Sequence, residues 1–114
     1  MTMPQPNTVR FATCIHVIDG DTILVRIEHG FGVELSTRGR LARINSPELH
    51  ATDPLPGKQA QEFLNSILKD HSLIIESHGH DRYGREILEV WDMITKQNIS
   101  DLMLLRGFAV PYKR

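Results

Sequence analysis

The sequence is poor in the features that would commit it to a membrane, an oxidised framework or a broadly basic surface. Cys14 is the only cysteine among 114 residues, so neither an internal disulfide nor a multi-cysteine zinc site can form. No stretch of 18 apolar residues occurs, which leaves no candidate for a membrane-spanning helix. Residues 1–7 are polar with two prolines and lack a basic start or an apolar stretch, so no signal peptide is expected. A cytoplasmic location is the expectation, with a secreted protein whose leader has been removed as the alternative. Charge of one sign is not in excess either: 13 Lys and Arg face 14 Asp and Glu, a formal net charge of −1. That excludes a histone-like surface but not a local basic site. No internal repeat or low-complexity tract interrupts the chain.

What is present is ordinary globular material, 40% hydrophobic and 24% charged. At this length about two-thirds of the unfolded surface can be buried, enough for one core. Residues 1–8 are expected to form a loose tail, and residues 9–114 a single domain acting as a monomer. Residues 9–18 are rich in β-branched and apolar side chains and end at Asp19-Gly20, a strand followed by a hairpin signal in which glycine would supply a positive φ. Residues 22–28 alternate, with Ile23, Val25 and Ile27 on one face and Leu24, Arg26 and Glu28 on the other. A turn over residues 29–32 leads to a third strand, residues 33–44, bent near Gly39. Three prolines mark residues 45–57 as loop.

Ala60, Phe63, Leu64, Ile67 and Leu68 recur at helical spacing and predict an amphipathic helix whose apolar stripe is core. Residues 72–77 and 86–92 read as strands around a polar loop at 78–85. Asn98 or Ser100 can cap a second helix that runs to about Arg106, with Gly107 at its C′ position. Three strands, a helix, two strands and a helix give a mainly β, α+β fold. This is the layout of a five-stranded Greek-key barrel of the OB-fold type, with a helix between the third and fourth strands and a second at the C-terminus.

Four short constellations carry chemistry. In Asp19-Gly20-Asp21-Thr22, two carboxylates at a strand end offer oxygens to a hard cation, although Asp-Gly also reads as a plain hairpin. Arg38, Arg40 and Arg43 lie on one strand, where a fixed guanidinium suits bidentate phosphate binding and a solvated face is the simpler reading. In Asn45-Ser46-Pro47-Glu48 a carboxylate follows a proline-stiffened turn and can serve as a general base or hold a water. In Asp81-Arg82-Tyr83-Gly84-Arg85 two arginines flank an aromatic ring, a polar hairpin loop or a phosphate contact. His78 and His80 lack a third partner of metal-site spacing, and Cys14 reads as a small buried hydrophobe.

The order and spacing of these motifs are specific where each alone is not. Val-Ile-Asp-Gly-Asp-Thr at 17–22 is followed by Arg-Leu-Ala-Arg-Ile-Asn-Ser-Pro-Glu at 40–48. Gly57 and Ala60 then open a helix carrying Phe63-Leu64. Asp-Arg-Tyr-Gly-Arg at 81–85 and Ile-Ser-Asp-Leu-Met-Leu-Leu-Arg-Gly-Phe-Ala at 99–109 complete the series. The chain resembles the staphylococcal nuclease (thermonuclease) family from about Val9 to Tyr112. The resemblance implies an OB-fold barrel and Ca²⁺-dependent hydrolysis of DNA and RNA phosphodiesters, leaving a 3′-phosphate and a 5′-hydroxyl. By position it implies Arg40, Glu48 and Arg85 as catalytic residues and Asp21 as a calcium ligand. It further implies Asp19 as a nearby acid, the Ser46 backbone carbonyl at the metal, and Arg82, Tyr83 and Tyr112 against substrate phosphate and base.

Three departures stand out. Asn45 occupies a position where the family usually has a metal-binding aspartate; an amide oxygen still coordinates Ca²⁺ but brings no charge, so weaker binding or a shifted metal preference is expected. Family members usually continue past the Tyr112 region into a further helix. They are also often exported, and no export signal is visible here. The expected substrate is single-stranded or locally open nucleic acid. The alternative is a non-catalytic OB-fold module that binds nucleic acid or protein, and the presence of Arg40, Glu48 and Arg85 together favours the enzyme.

Overall fold

The computed structural model describes residues 9–112. The tail expected at residues 1–8 lies outside the described residues. The elements in chain order are β1 (Val9–Asp19), β2 (Thr22–Gly30), β3 (Val33–Leu41), β4 (Ile44–Asn45), α1 (Leu55–Leu68), β5 (Ser72–His80), β6 (Glu86–Asp92), α2 (Ile99–Leu105) and β7 (Val110–Pro111). Five strands close into a barrel in the order β1-β2-β3-β6-β5, with β5 returning to pair with β1. This is the expected mainly β fold with two helices, a closed five-stranded barrel of the OB-fold type. No described helix is long and apolar enough to cross a membrane.

Alternation builds the barrel wall. Ile23, Val25 and Ile27 of β2 are buried, while Arg26 and Glu28 face outward. Leu73 and Ile75 of β5, Leu88 and Val90 of β6, and Ala12 and Cys14 of β1 complete the interior. Cys14 is fully buried, and burial pushes its thiol up to about 11, so it is an inert packing group. Helix α1 closes one end of the barrel with Ala60, Leu64 and Leu68. Its Gln61 Nε2 donates to the Val17 and Ile18 carbonyls of β1, at 3.3 and 3.0 Å. Those carbonyls lie where β1 is bulged between Val17 and Asp19.

Three boundaries differ from the sequence expectation. The third strand ends at Leu41 rather than running to Ile44, because Arg43 adopts a left-handed φ of 69°. The two residues beyond it pair instead with Val110 and Pro111. Helix α1 begins at Leu55, inside the segment expected to be loop. Pro54 and Pro56 fall in its first turn, where the missing N–H has no intrahelical partner to lose. Strand β5 continues to His80, leaving residues 81–85 as the connection to β6. Helix α2 is capped by Asn98, whose Oδ1 accepts from the Asp101 N–H at 3.0 Å. Ser100, the other candidate, is buried and donates to the Ala42 carbonyl at 2.7 Å.

Gly20 is required for space rather than for a positive φ, since it is not among the left-handed residues. A Cβ there would lie 2.7 Å from the Ala60 Cβ and 2.8 Å from Ser46. The β1–β2 turn, helix α1 and the loop after β4 therefore meet at one point, and the candidate site is built on that junction.

Candidate active site

Antiparallel pairing of β2 with β3 sets Thr22 opposite Arg40, and parallel pairing of β3 with β6 sets Arg40 beside Ile87. Arg85, two residues before Ile87, is thereby brought to the same barrel end as Asp21 and Thr22. Its Nη1 donates to Thr22 Oγ1 at 3.0 Å. Thr22 Oγ1 in turn donates to Asp21 Oδ1 at 3.1 Å. The Leu41 N–H donates to the Asp21 carbonyl at 2.8 Å and locks the two strand ends together.

Asp21 and Arg40 form a buried ion pair, Oδ2 to Nη1 3.3 Å, each side chain only 10% exposed. The Ser46 N–H also donates to Asp21 Oδ2, at 3.0 Å. Arg40 further donates from Nη1 to the Leu41 carbonyl at 3.2 Å and from Nη2 to Asn45 Oδ1 at 3.4 Å. Its guanidinium lies 5.5 Å from the centroid of the Tyr112 ring. Burial alone would raise the Asp21 carboxyl, but the Asp19 side chain, the Ser46 amide and the Arg40 charge outweigh it and hold Asp21 below the usual range. Asp19 moves the other way: burial raises it, and the hydrogen bond and charge of Asp21 add to that. Two adjacent carboxyls thus divide their roles, with Asp21 the anion and Asp19 the group that resists a second negative charge.

Asp81 organises the connection between β5 and β6. Its Oδ1 accepts from the Tyr83 and Arg85 amides at 2.8 and 3.0 Å, and its Oδ2 accepts from Arg85 Nε at 2.6 Å. Burial opposes its charge, but these contacts with the Arg85 and Tyr83 amides and the Arg85 guanidinium hold its carboxyl below the usual range. Gly84 supplies the left-handed φ of 79° that turns the loop. The Arg85 guanidinium also lies 5.5 Å from the Tyr83 ring centroid.

Two clefts result. One, of about 170 Å³, is lined by Asp19, Asp21, Asn45, Ser46, Pro47 and Glu48, together with Arg40 and Arg85. The second, of about 490 Å³, is lined by His80, Asp81, Arg82, Tyr83 and Tyr112, again with Arg40 and Arg85. The two arginines stand in the partition. The residues to which the family resemblance assigns a site role, Asp19, Asp21, Arg40, Asn45, Ser46, Glu48, Arg82, Tyr83, Arg85 and Tyr112, therefore line one or both of two adjoining clefts. Glu48 reaches its place because Gly57 lets α1 pass close beneath it; a Cβ at Gly57 would lie 2.7 Å from the Glu48 carbonyl oxygen.

The donor atoms facing the smaller cleft are carboxylate and amide oxygens, which fit a hard divalent cation such as Ca²⁺. Among the described residues no three His, Cys, Asp or Glu side chains form a metal cluster by themselves. A cation there would accordingly lean on Asn45 and backbone oxygen as well as on Asp19 and Asp21.

Some candidates fall elsewhere. Arg43 is spent on Glu89 (Nε to Oε2, 2.6 Å) and Asp101 (Nη1 to Oδ1, 2.9 Å), tying the β3–β4 turn to β6 and α2. His78 pairs with Glu76 at 2.7 Å. Conversely, Thr22, Asp81 and His80 were not picked out as site residues. Thr22 and Asp81 were legible as parts of their motifs, and Asp81 as the i−4 partner of Arg85. His80 was weighed only with His78 as a metal pair, because its place in the cleft depends on β5 running three residues further than its hydrophobic pattern suggests.

The family model of staphylococcal nuclease homologues matches residues 38–114, a span that holds Arg40, Asn45 to Glu48 and Asp81 to Arg85. Among curated proteins, Protein ParB of Escherichia coli is 26% identical over 106 residues, covering 87% of this chain and 55% of the relative. The chain thus spans about half the length of that relative. With the family match covering more than half the chain, and the barrel and motif order agreeing with it, the chain belongs to the staphylococcal nuclease homologue family.

Proposed function

We propose that this chain is a metal-dependent nuclease that hydrolyses phosphodiester bonds of DNA or RNA, with Ca²⁺ as the cation. The observation that carries the reading is the placement of Arg40 and Arg85 in the wall common to an acid-lined cleft and a basic, aromatic one. Phosphodiester hydrolysis adds negative charge to an already anionic phosphorus centre. Two guanidiniums fixed by other contacts meet that charge with little reorganisation. Arg40 is held by Asp21 and the Leu41 carbonyl, and Arg85 by Asp81 and Thr22.

Asp19, Asp21, Asn45 and the Ser46 backbone are the residues that would hold Ca²⁺, which when bound supplies positive charge at the scissile phosphate. Glu48 orients a water for attack and takes its proton. The water oxygen bonds to phosphorus and the P–O5′ bond breaks. The 5′ oxygen leaves as a hydroxyl protonated from solvent, and the phosphate stays on the 3′ side. Arg82, Tyr83 and Tyr112 hold the strand in the larger cleft through charge and stacking, which favours single-stranded or locally open substrate.

The deciding experiment incubates the protein with denatured DNA in Ca²⁺ and then in chelator, with Arg40→Ala and Glu48→Gln alongside. The expected result is calcium-dependent degradation lost in both variants and in chelator. Asn45 gives one observation for a different reading, a barrel that binds nucleic acid without cutting it. Binding without cleavage under any divalent metal would establish that reading instead.

A further inference from the structure

His80 lies on the wall of the larger cleft with Arg40, Arg82 and Arg85, and neither the motif order nor the cation site accounts for it. Its Nε2 sits 2.7 Å from Glu86 Oε1, the imidazole 67% exposed and the carboxylate only 22%. The carboxylate is fixed from behind, because Ser77 Oγ donates to Glu86 Oε2 at 2.6 Å. Among the described residues the other ring nitrogen, Nδ1, has no partner. Gly79, at a φ of 100°, marks the break in the β5–β6 register between Ser77 and His80 that turns the imidazole toward Glu86.

A pair of this kind on a plain surface contributes little. Its position gives it a consequence here. With the imidazole neutral, His80 brings no positive charge to a cleft that has to accept phosphate. With the imidazole protonated, Nε2–H pairs with Glu86 and Nδ1–H is a charged donor. The other charged and titratable groups on this wall are Asp81, Arg82, Tyr83, Arg85, Arg40 and Tyr112. Asp81 is committed to Arg85 and the loop amides, and Arg40 to Asp21, while Arg10 and His29 line a neighbouring pocket together with Glu86.

We infer that His80, held by Glu86, is a further substrate contact that binds a backbone phosphate of the nucleic-acid strand when its ring is protonated. The inference rests on the nuclease reading for the identity of the strand. It places a proton-dependent contact in the larger cleft, on the side away from the carboxylates of the smaller one.

The test measures binding of a short fluorescent single-stranded DNA in chelator, where the strand is not cut, over a range of salt. At about pH 5.5 the wild-type chain should show a salt slope steeper than His80→Gln by about 0.7, the value for one phosphate contact on a single strand. Between about 50 and about 200 mM salt that difference is about 2.6-fold in affinity. At about pH 8.5 the two slopes should coincide. The other five histidines are common to both proteins, so their contribution drops out of the comparison. Equal slopes for wild type and His80→Gln at both pH values would overturn the inference. Absence of strand binding in chelator would also overturn it, while calcium-dependent cleavage that persisted in the same preparation would leave the nuclease reading standing.

Discussion

Arg40 and Asp21 meet 3.3 Å apart with nine-tenths of each side chain covered, and this pair lies where the acid-lined cleft meets the basic, aromatic one. Removing one partner leaves the other charged and buried. Arg40→Ala should therefore destabilise the metal-free protein by about 3 kcal/mol. The double variant Arg40→Ala/Asp21→Asn should recover at least half of that loss, because no uncompensated charge remains. Urea denaturation of the single variants and the double variant measures the coupling. Additive losses would show that the pair is not the source.

Gly57 sets local propensity against close approach. Alanine is the better helix former by about 1 kcal/mol, so propensity alone predicts a gain from Gly57→Ala. The added Cβ would lie 2.7 Å from the Glu48 carbonyl oxygen and 3.0 Å from the Leu49 nitrogen, both backbone atoms. Overpacking of that kind costs about 1–3 kcal/mol. We expect a net loss of about 1 kcal/mol in urea. The variant should also cleave more slowly at saturating substrate, because the loop that carries Glu48 must move. A more stable variant with unchanged turnover would show that the loop yields freely.

The elements most legible in the sequence were those whose pattern is local. Alternation in residues 22–28, the stripe from Ala60 to Leu68, and the cap and C′ glycine of α2 depend on spacing within one segment. Each appears in the structure, Gly107 with a left-handed φ of 77°. What was missed depends on partners distant in the chain. Arg43 ends β3 because Glu89, Asp101 and Asn98 hold it in a left-handed turn, and no pattern within residues 33–44 announces that. Gly20 reads as a turn residue, yet its constraint comes from Ala60 and Ser46, 40 and 26 positions away. The candidate site residues were picked out through motif order. Their division between two clefts was not, because it follows from the parallel β3–β6 pairing.

Asp81 holds Arg85 and the loop that lines the larger cleft, and its loss should be visible in stability as well as in activity. The carboxylate accepts two amides and the Arg85 Nε, whereas an asparagine would have only one oxygen to offer. Asp81→Asn should cost about 2 kcal/mol at neutral pH, in the range for hydrogen bonds to a charged group. Its carboxyl is held below the usual range on folding, so the folded state binds fewer protons than the unfolded one through that interval. The stabilisation is complete above the ordinary aspartate pKa and is lost as pH falls through the lowered value in the folded state. Parent and variant should converge in acid when urea midpoints are compared from neutral pH downward. A constant gap at all pH values would mean that shape, not charge, carries the effect.

On the proposed nuclease reading, Asn45 sets how strongly the acid-lined cleft would hold a cation. It lines that cleft with Asp19 and Asp21, and its Oδ1 accepts from Arg40 Nη2 at 3.4 Å. In Asn45→Asp a negative charge replaces a neutral oxygen at the same place, and ligand charge is a main control of Ca²⁺ affinity in oxygen sites. Calcium should bind about tenfold more tightly, read by calorimetry on the protein without substrate. The new carboxylate would also pair with Arg40 in the absence of metal, so part of the gain is offset by a contact the cation must loosen. That competition predicts a smaller heat of binding than charge alone would give, and a metal-free variant more stable than its parent in urea. Unchanged affinity would remove position 45 from the ligand set and leave the cation to Asp19, Asp21 and the backbone of Ser46.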